Sequence, residues 1–287
     1  MQYDEMGSKE NPTLVCVPGI LGGPENFAAM VPGLIDRYHI VIFDPSAERR
    51  DLALTNASLM QAMQQLAYYQ TADEIAVALN KMGRSEAFFL GISLGGKIIY
   101  DFALKFPQMF AGGVVTDVGP GPFEETHLHI FIADLVENLD LTVPWTELRA
   151  EMNRIVPDRN LRIMLQSQIH YPEGKPPGMW KPSMRYLSEM LERQNMDDQF
   201  EGLAKVDDFL ASEGRFIHVF KASSLSGISD SAVQRMKAFK CIRLHPIDGT
   251  THFLHVSHKN AIVDVANTMP QYFTGVRQSQ RLELASY

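Results

Sequence analysis

Cysteine is scarce in this chain. Cys16 and Cys241 are the only two. Both sit in short apolar runs, so no disulfide framework organises the fold, and a reducing cytoplasmic setting is expected. Long apolar stretches are also missing. None approaches the ~18 residues that a membrane span requires. The opening Met-Gln-Tyr-Asp-Glu has neither a basic nor an apolar segment, so it does not read as a signal peptide. Basic charge is in deficit: 26 Lys and Arg stand against 34 Asp and Glu, a net charge of -8. That balance argues against nucleic acid or an anionic membrane surface as a partner. No phosphate-binding Gly-x-x-x-x-Gly-Lys-Ser/Thr loop and no dinucleotide fingerprint occurs, so no cofactor is expected. His127-Leu-His129 is the nearest approach to a metal pair. On a helix those two side chains would diverge, and no third ligand has suitable spacing, so no metal is expected.

Apolar residues make up 45% of the 287 positions, enough for a sizeable core. The first half alternates short apolar runs with helical patterns. Leu14–Val17, His39–Phe43, Ala87–Leu90 and Gly113–Thr116 are apolar throughout or nearly so. Each ends at a turn residue, as strands buried on both faces do. Between them, Thr71–Met82 has apolar residues at helix spacing and opens with the Thr71-Ala-Asp-Glu74 capping-box pattern. Gly95–Phe106 is a second helix, stopped by Pro107. Strand and helix in alternation predict a parallel sheet with helices on its faces.

The pattern changes at Gly119-Pro-Gly-Pro122. From there to about Lys205 the periodicity is helical, over Ile130–Asn138, Thr146–Ile155, Leu161–Ile169 and Ser183–Gln194. Only the Pro/Gly-rich loop Tyr171–Gly178 interrupts it. Strands return at Arg215–Lys221 and Cys241–His245, with helices at Asp230–Phe239 and Ala261–Phe273. The expected organisation is an α/β core over 1–118 and 206–287, with a helical cap inserted at 119–205.

Gly91-Ile-Ser93-Leu-Gly95 lies between the Ala87–Leu90 strand and the following helix. A tight strand–turn–helix junction needs small residues on either side of the serine and projects its hydroxyl above the sheet edge. The helix N-terminus points at the same place. Ser93 is therefore the candidate nucleophile, and a nucleophilic serine needs a base. His252, in Asp248-Gly-Thr-Thr-His252-Phe, falls after the last strand and before the last helix, where it can reach back to the serine. His39, His218 and His245 fall within strands. His127, His129 and His170 fall in the insertion, and His255 and His258 lie past the loop. An oxyanion hole is also required. The loop Pro18-Gly19-Ile20-Leu21-Gly22-Gly23 offers the Ile20 N–H, and the serine turn offers the Leu94 N–H.

Taken together, these segments resemble the α/β-hydrolase superfamily, in particular its capped branch of serine esterases, lactonases and C–C hydrolases. Pro18-Gly19 stands where such proteins often have His-Gly. Gly-Ile-Ser-Leu-Gly is similar to their nucleophile elbow. Val115-Thr-Asp-Val-Gly-Pro120 is similar to the segment leading into their lid, and Thr251-His252-Phe253 to their base loop. The resemblance implies an α/β-hydrolase fold and a Ser–Asp/Glu–His triad in that chain order. It implies cleavage of a carboxylic ester, lactone or thioester through an acyl-enzyme. C–C bond hydrolysis or acyl transfer with the same Ser/His pair is the alternative. Serine at position 93 disfavours the dehalogenase and epoxide hydrolase chemistries of this fold, which use aspartate there. The expected partner is a small molecule with an apolar acyl or aromatic group, and the oligomeric state is not determined.

Two departures stand out. The family's acid usually follows the strand placed at Arg215–Lys221, but Gly227 occupies its place. Asp117 is the preferred substitute, because some lipases of the superfamily carry their acid on the corresponding strand. Asp230 is the alternative, although its place at a helix start fits a dipole-complementing role. A site with no acid is a third option, and a non-catalytic small-molecule receptor on the same fold would share it. The second departure is Asp44-Pro-Ser-Ala-Glu-Arg-Arg-Asp51, which replaces a glycine-rich loop of the family near the pocket.

Overall fold

A computed structural model of the chain describes residues 2–19, 22–44, 68–121, 127–180 and 198–284. A mixed sheet of seven strands forms its centre. These are β1 (Gln2–Met6), β2 (Thr13–Val17), β3 (His39–Asp44), β4 (Ala87–Ile92), β5 (Phe110–Thr116), β8 (Ile217–Ala222) and β9 (Ile242–Ile247). Their spatial order is β1-β3-β2-β4-β5-β8-β9. All neighbours run parallel except β1, which pairs antiparallel with β3 from Gln2↔Asp44 to Met6↔Ile40.

The sheet is apolar on both faces, and this follows from strand geometry. Successive side chains point to opposite faces. Val15, Val17, Val41, Phe43 and Phe89 join one buried cluster with the helices α1 (Tyr68–Lys81), α2 (Leu94–Lys105) and α6 (Phe200–Ser212). Leu14, Cys16, Ile40, Ile42, Phe88 and Leu90 join the other, with Ile262, Ala266 and Met269 of the C-terminal helix α8 (Lys259–Leu284). Continuous apolar runs thus arise because helices cover both faces. Tyr38 adds a clasp on the second face, its hydroxyl donating to the Ala266 carbonyl at 2.5 Å.

Strand β1 has no counterpart among the apolar runs. Its sequence, Gln-Tyr-Asp-Glu-Met, is polar because an edge strand needs only backbone pairing and leaves its side chains largely in water.

Between β5 and β8 the chain leaves the sheet. It forms α3 (His127–Asn138), α4 (Trp145–Ile155) and α5 (Arg159–Ser167), then a short antiparallel pair, β6 (Ile169–His170) with β7 (Met179–Trp180). The β6–β7 pair replaces the purely helical character expected here. These elements have their own core, with Ile132, Leu148, Met152, Leu161, Leu165 and Trp180 buried together. The helix expected at Ser183–Gln194, Leu21 of the loop after β2, and residues 45–51 of the loop after β3 lie outside the described residues. Helix α6 runs across the expected 205/206 boundary. It packs on the sheet side, with Gly202 against Leu104 of α2, so the helical excursion returns to the core near residue 199.

Arg215, just before β8, is 2% exposed. Its guanidinium donates to the carbonyls of Pro107, Gln108 and Phe110 at 3.4, 3.1 and 2.7 Å and lies 3.7 Å from Glu86. Nη1 of this one side chain thereby ties the entry to β8 to the turn that starts β5. Arg215→Ala strands several buried carbonyls and opens a void, so it is expected to cost roughly 3 kcal/mol. A urea unfolding midpoint unchanged from wild type would contradict this.

Candidate active site

The ends of β4, β5 and β9 point to one side of the sheet. There, ligands bind in open α/β folds. Ser93 sits between β4 and α2 with φ 50° and ψ -117°, in the positive-φ region that side chains avoid. Its N–H donates to the Thr116 carbonyl at 3.0 Å, and its carbonyl accepts from Gly96 at 2.7 Å, so both sides of the turn are fixed. Such backbone strain costs on the order of 1–3 kcal/mol and persists only where the surroundings over-determine it. Gly95 shows why the turn needs small residues. A Cβ there would collide with the Val17 carbonyl and come within 2.7 Å of the Pro18 carbonyl.

His252 follows β9 in the loop before the single helical turn Leu254–Ser257. Its Nε2 lies 3.1 Å from Ser93 Oγ, although 159 positions separate the two residues. Its Nδ1 lies 2.7 Å from Asp117 Oδ2. Asp117 is 0% exposed. It stands directly after β5 with φ 51°, a region that Asp tolerates better than most residues, and its N–H extends the ladder to Phe220 of β8 at 2.7 Å.

Three further donors converge on this carboxylate. The Ala222 N–H and the Ser226 hydroxyl reach Oδ1 at 2.8 and 2.7 Å, and the Gly227 N–H reaches Oδ2 at 2.8 Å. Burial pushes the Asp117 carboxyl up. The hydrogen bonds from His252, Ser226 and Ala222, with the imidazole's charge, outweigh burial and hold it below the ordinary 3.8. An ionised carboxylate only accepts, so Nδ1 of His252 carries the proton and donates. In the neutral ring, Nε2 then presents its lone pair to the serine hydroxyl.

Gly227 occupies the place where the resemblance puts an acid. A Cβ there would approach the Asp117 carbonyl to 2.5 Å and the His252 ring to 3.5 Å. The space a side chain would take is filled by Asp117 itself, and Gly227 contributes its N–H instead. Asp230, the alternative acid, opens α7 (Asp230–Met236) with a fully exposed carboxylate whose partner is Lys221 at 4.0 Å. It does not reach His252, because it stands in water at a helix start. Ser229 caps that helix, accepting from the Ala232 N–H at 3.1 Å.

Of the two expected oxyanion donors, Leu94 is the first residue of α2, where N–H groups have no partner within the helix. Ile20 lies outside the described residues, but the adjoining Gly19 passes beside the serine: a Cβ there would be 3.5 Å from Ser93 Cβ. The other histidines go elsewhere. His218 and His245 bond to each other at 3.0 Å on neighbouring strands. Burial, with help from nearby charge, pushes His218 and His255 down to about 4. His39 bonds Glu5 at 2.9 Å. The side chains of His127 and His129 lie outside the described residues. Among the described residues, no three His, Cys, Asp or Glu side chains converge as metal ligands would, and no helix is long and apolar enough to cross a membrane.

Fold and sequence together define the class. The chain belongs to the alpha/beta hydrolase fold family, whose profile it matches over residues 12–165. It is 22% identical over 262 residues to an sn-1-specific diacylglycerol lipase (ABHD11) of Danio rerio, across 89% of this chain and 77% of that protein. It is 24% identical over 195 residues to ethanol acetyltransferase 1 of Wickerhamomyces anomalus, across 63% of this chain and 46% of that protein. This chain thus spans about half of that second relative. A marine microorganism esterase has a similar structure, with a TM-score of 0.63 and 16% identity, over 93% of this chain and 98% of that one. Haloalkane dehalogenase DbeA from Bradyrhizobium elkani gives 0.62 and 14%, over 95% and 94%.

No motif in the sequence marks the groups that hold Asp117, Ser226 and the Ala222 N–H among them. The only trace was the missing side chain at Gly227. Because the folded pKa of Asp117 lies below 3.8, its ionised form stabilises the fold at all pH above that value. The contribution fades as pH falls below 3.8 toward the depressed folded value. Asp117→Asn is therefore expected to be less stable at neutral pH and to lose this part of the acid sensitivity. Urea midpoints compared at neutral pH and at several pH values below 3.8 would check it. Parallel curves for the two proteins would refute it.

Proposed function

We propose that this chain is a serine hydrolase that cleaves a carboxylic ester, lactone or thioester through an acyl-enzyme. The observation that carries this reading is the unbroken series of hydrogen bonds from Ser93 Oγ through His252 to a buried, ionised Asp117. The serine hydroxyl attacks the carbonyl carbon while its proton passes to Nε2 of His252. Asp117 stabilises the imidazolium that forms and keeps Nδ1 protonated. The negative oxygen of the tetrahedral intermediate is held by the Leu94 N–H and, in this reading, the Ile20 N–H. The imidazolium then gives its proton to the leaving group. Water, deprotonated by the same nitrogen, releases the acid and restores Ser93.

In this reading the segment between β5 and α6, whose described part has its own small core, is a cap. The substrate is a small molecule whose apolar acyl or aromatic part lies beneath it. The lipase and esterase among the relatives support hydrolysis. The acetyltransferase relative favours a second reading, in which an alcohol instead of water accepts the acyl group. A non-catalytic receptor drew its support from the absent carboxylate at Gly227, and the 2.7 Å contact of Asp117 with His252 weakens that support.

A fluorophosphonate probe is expected to label the folded protein on Ser93, and Ser93→Ala to abolish labelling. Folded wild-type protein that never labels would overturn the proposal. On p-nitrophenyl esters, Asp117→Asn is expected to lower kcat by on the order of 10³-fold or more, since the imidazole loses its orienting acceptor. Asp230→Asn is expected to leave the rate unchanged. Running the same assay with added alcohol separates the two acceptors: an ester product in place of acid identifies acyl transfer.

A further inference from the structure

His252 lies between two anchors of different origin. On the N-terminal side, Thr250 belongs to the sheet end. Its carbonyl accepts from the Ser223 hydroxyl at 3.1 Å, the Ser224 hydroxyl at 2.9 Å and the Ser224 N–H at 3.0 Å. Its own hydroxyl donates to the Ile247 carbonyl at 2.6 Å. On the next residue the allegiance changes. The Thr251 hydroxyl donates to Asp158 Oδ2 at 2.6 Å, across 93 positions of chain. After His252, Phe253 packs against the core of the helical insertion instead of the sheet.

Asp158 uses both of its oxygens. Oδ1 accepts from the Leu161 N–H at 2.8 Å and caps α5, while Oδ2 takes Thr251. A cap alone needs one oxygen, and serine would do it as well. A carboxylate adds a second acceptor oriented by the first, so one side chain joins the start of α5 to the loop bearing His252. The helix backbone fixes the carboxylate, the carboxylate fixes Thr251, and the imidazole is the neighbouring side chain.

We infer that Asp158 is a positioning residue: with Thr251 it latches the helical insertion to the His252 loop, so that the imidazole meets Ser93 only while the insertion is seated. The inference rests on the serine hydrolase reading. It adds that His252 takes its place from the insertion as well as from Asp117.

Thr251→Val removes the hydroxyl but leaves the cap of α5 intact. Asp158→Ser keeps a capping oxygen but is too short to reach Thr251. Each is expected to slow the second-order rate of fluorophosphonate labelling by on the order of tenfold, because small misplacements of a base are costly. The double variant is expected to be no slower than either single one, since both break one bond. Thr251→Ser, which keeps the hydroxyl, is expected to recover most of the rate. Amide hydrogen exchange over residues 250–253 is expected to quicken in both single variants. Wild-type labelling rates in Thr251→Val, or a double variant slowed by the product of the two single effects, would overturn the latch. If folded wild-type protein does not label at all, the hydrolase reading fails instead. The exchange measurement then decides the latch alone, and unchanged exchange in Thr251→Val refutes it.

Discussion

A carboxylate removed entirely from water must find donors for both oxygens or give up its charge. Asp117 is in that position at the end of β5, and the surrounding backbone is arranged around its need. The turn after β8 bends so that the Ala222 and Gly227 N–H groups and the Ser226 hydroxyl all point at it. The fourth donor is His252. The histidine loop after β9, the turn after β8 and the end of β5 are therefore held together by one charge. The position and tautomer of the imidazole follow from the same bonds.

Strands β5 and β8 are neighbours, so the end of β5 and the turn after β8 meet at Asp117. Where they meet, position 227 has no room for a side chain and supplies a backbone N–H instead. The glycine that looks like a lost function in the linear sequence is part of how the carboxylate is held.

Ser93 illustrates a different economy. Its positive φ is unfavourable by itself, and it is imposed by parallel pairing on one side and helix α2 on the other. Gly95 lets α2 start close against the backbone of Val17 and Pro18. The chain after β2 and the serine are thereby brought side by side. The insertion, with a separate core, touches this arrangement through Thr251 and Phe253, one on each side of the imidazole.

Local signals carried most of the fold. Runs such as Leu14–Val17 and Ala87–Leu90 are apolar at every position because both sheet faces are covered, and that property is visible residue by residue. The serine turn is legible for the same reason: its glycines answer to contacts within the junction itself. Strand β1 escaped because an edge strand is defined by a partner's backbone and needs no apolar pattern of its own. The β6–β7 pair escaped because two residues per strand carry no period. For the site, the sequence by itself singled out Ser93, His252 and two carboxylates as candidates. Only the tertiary structure brings Asp117, and not Asp230, within hydrogen-bond reach of His252. Hydrogen-bond reach is a matter of where strands end in space, and one of the two carboxylates stands in water while the other is buried against the ring.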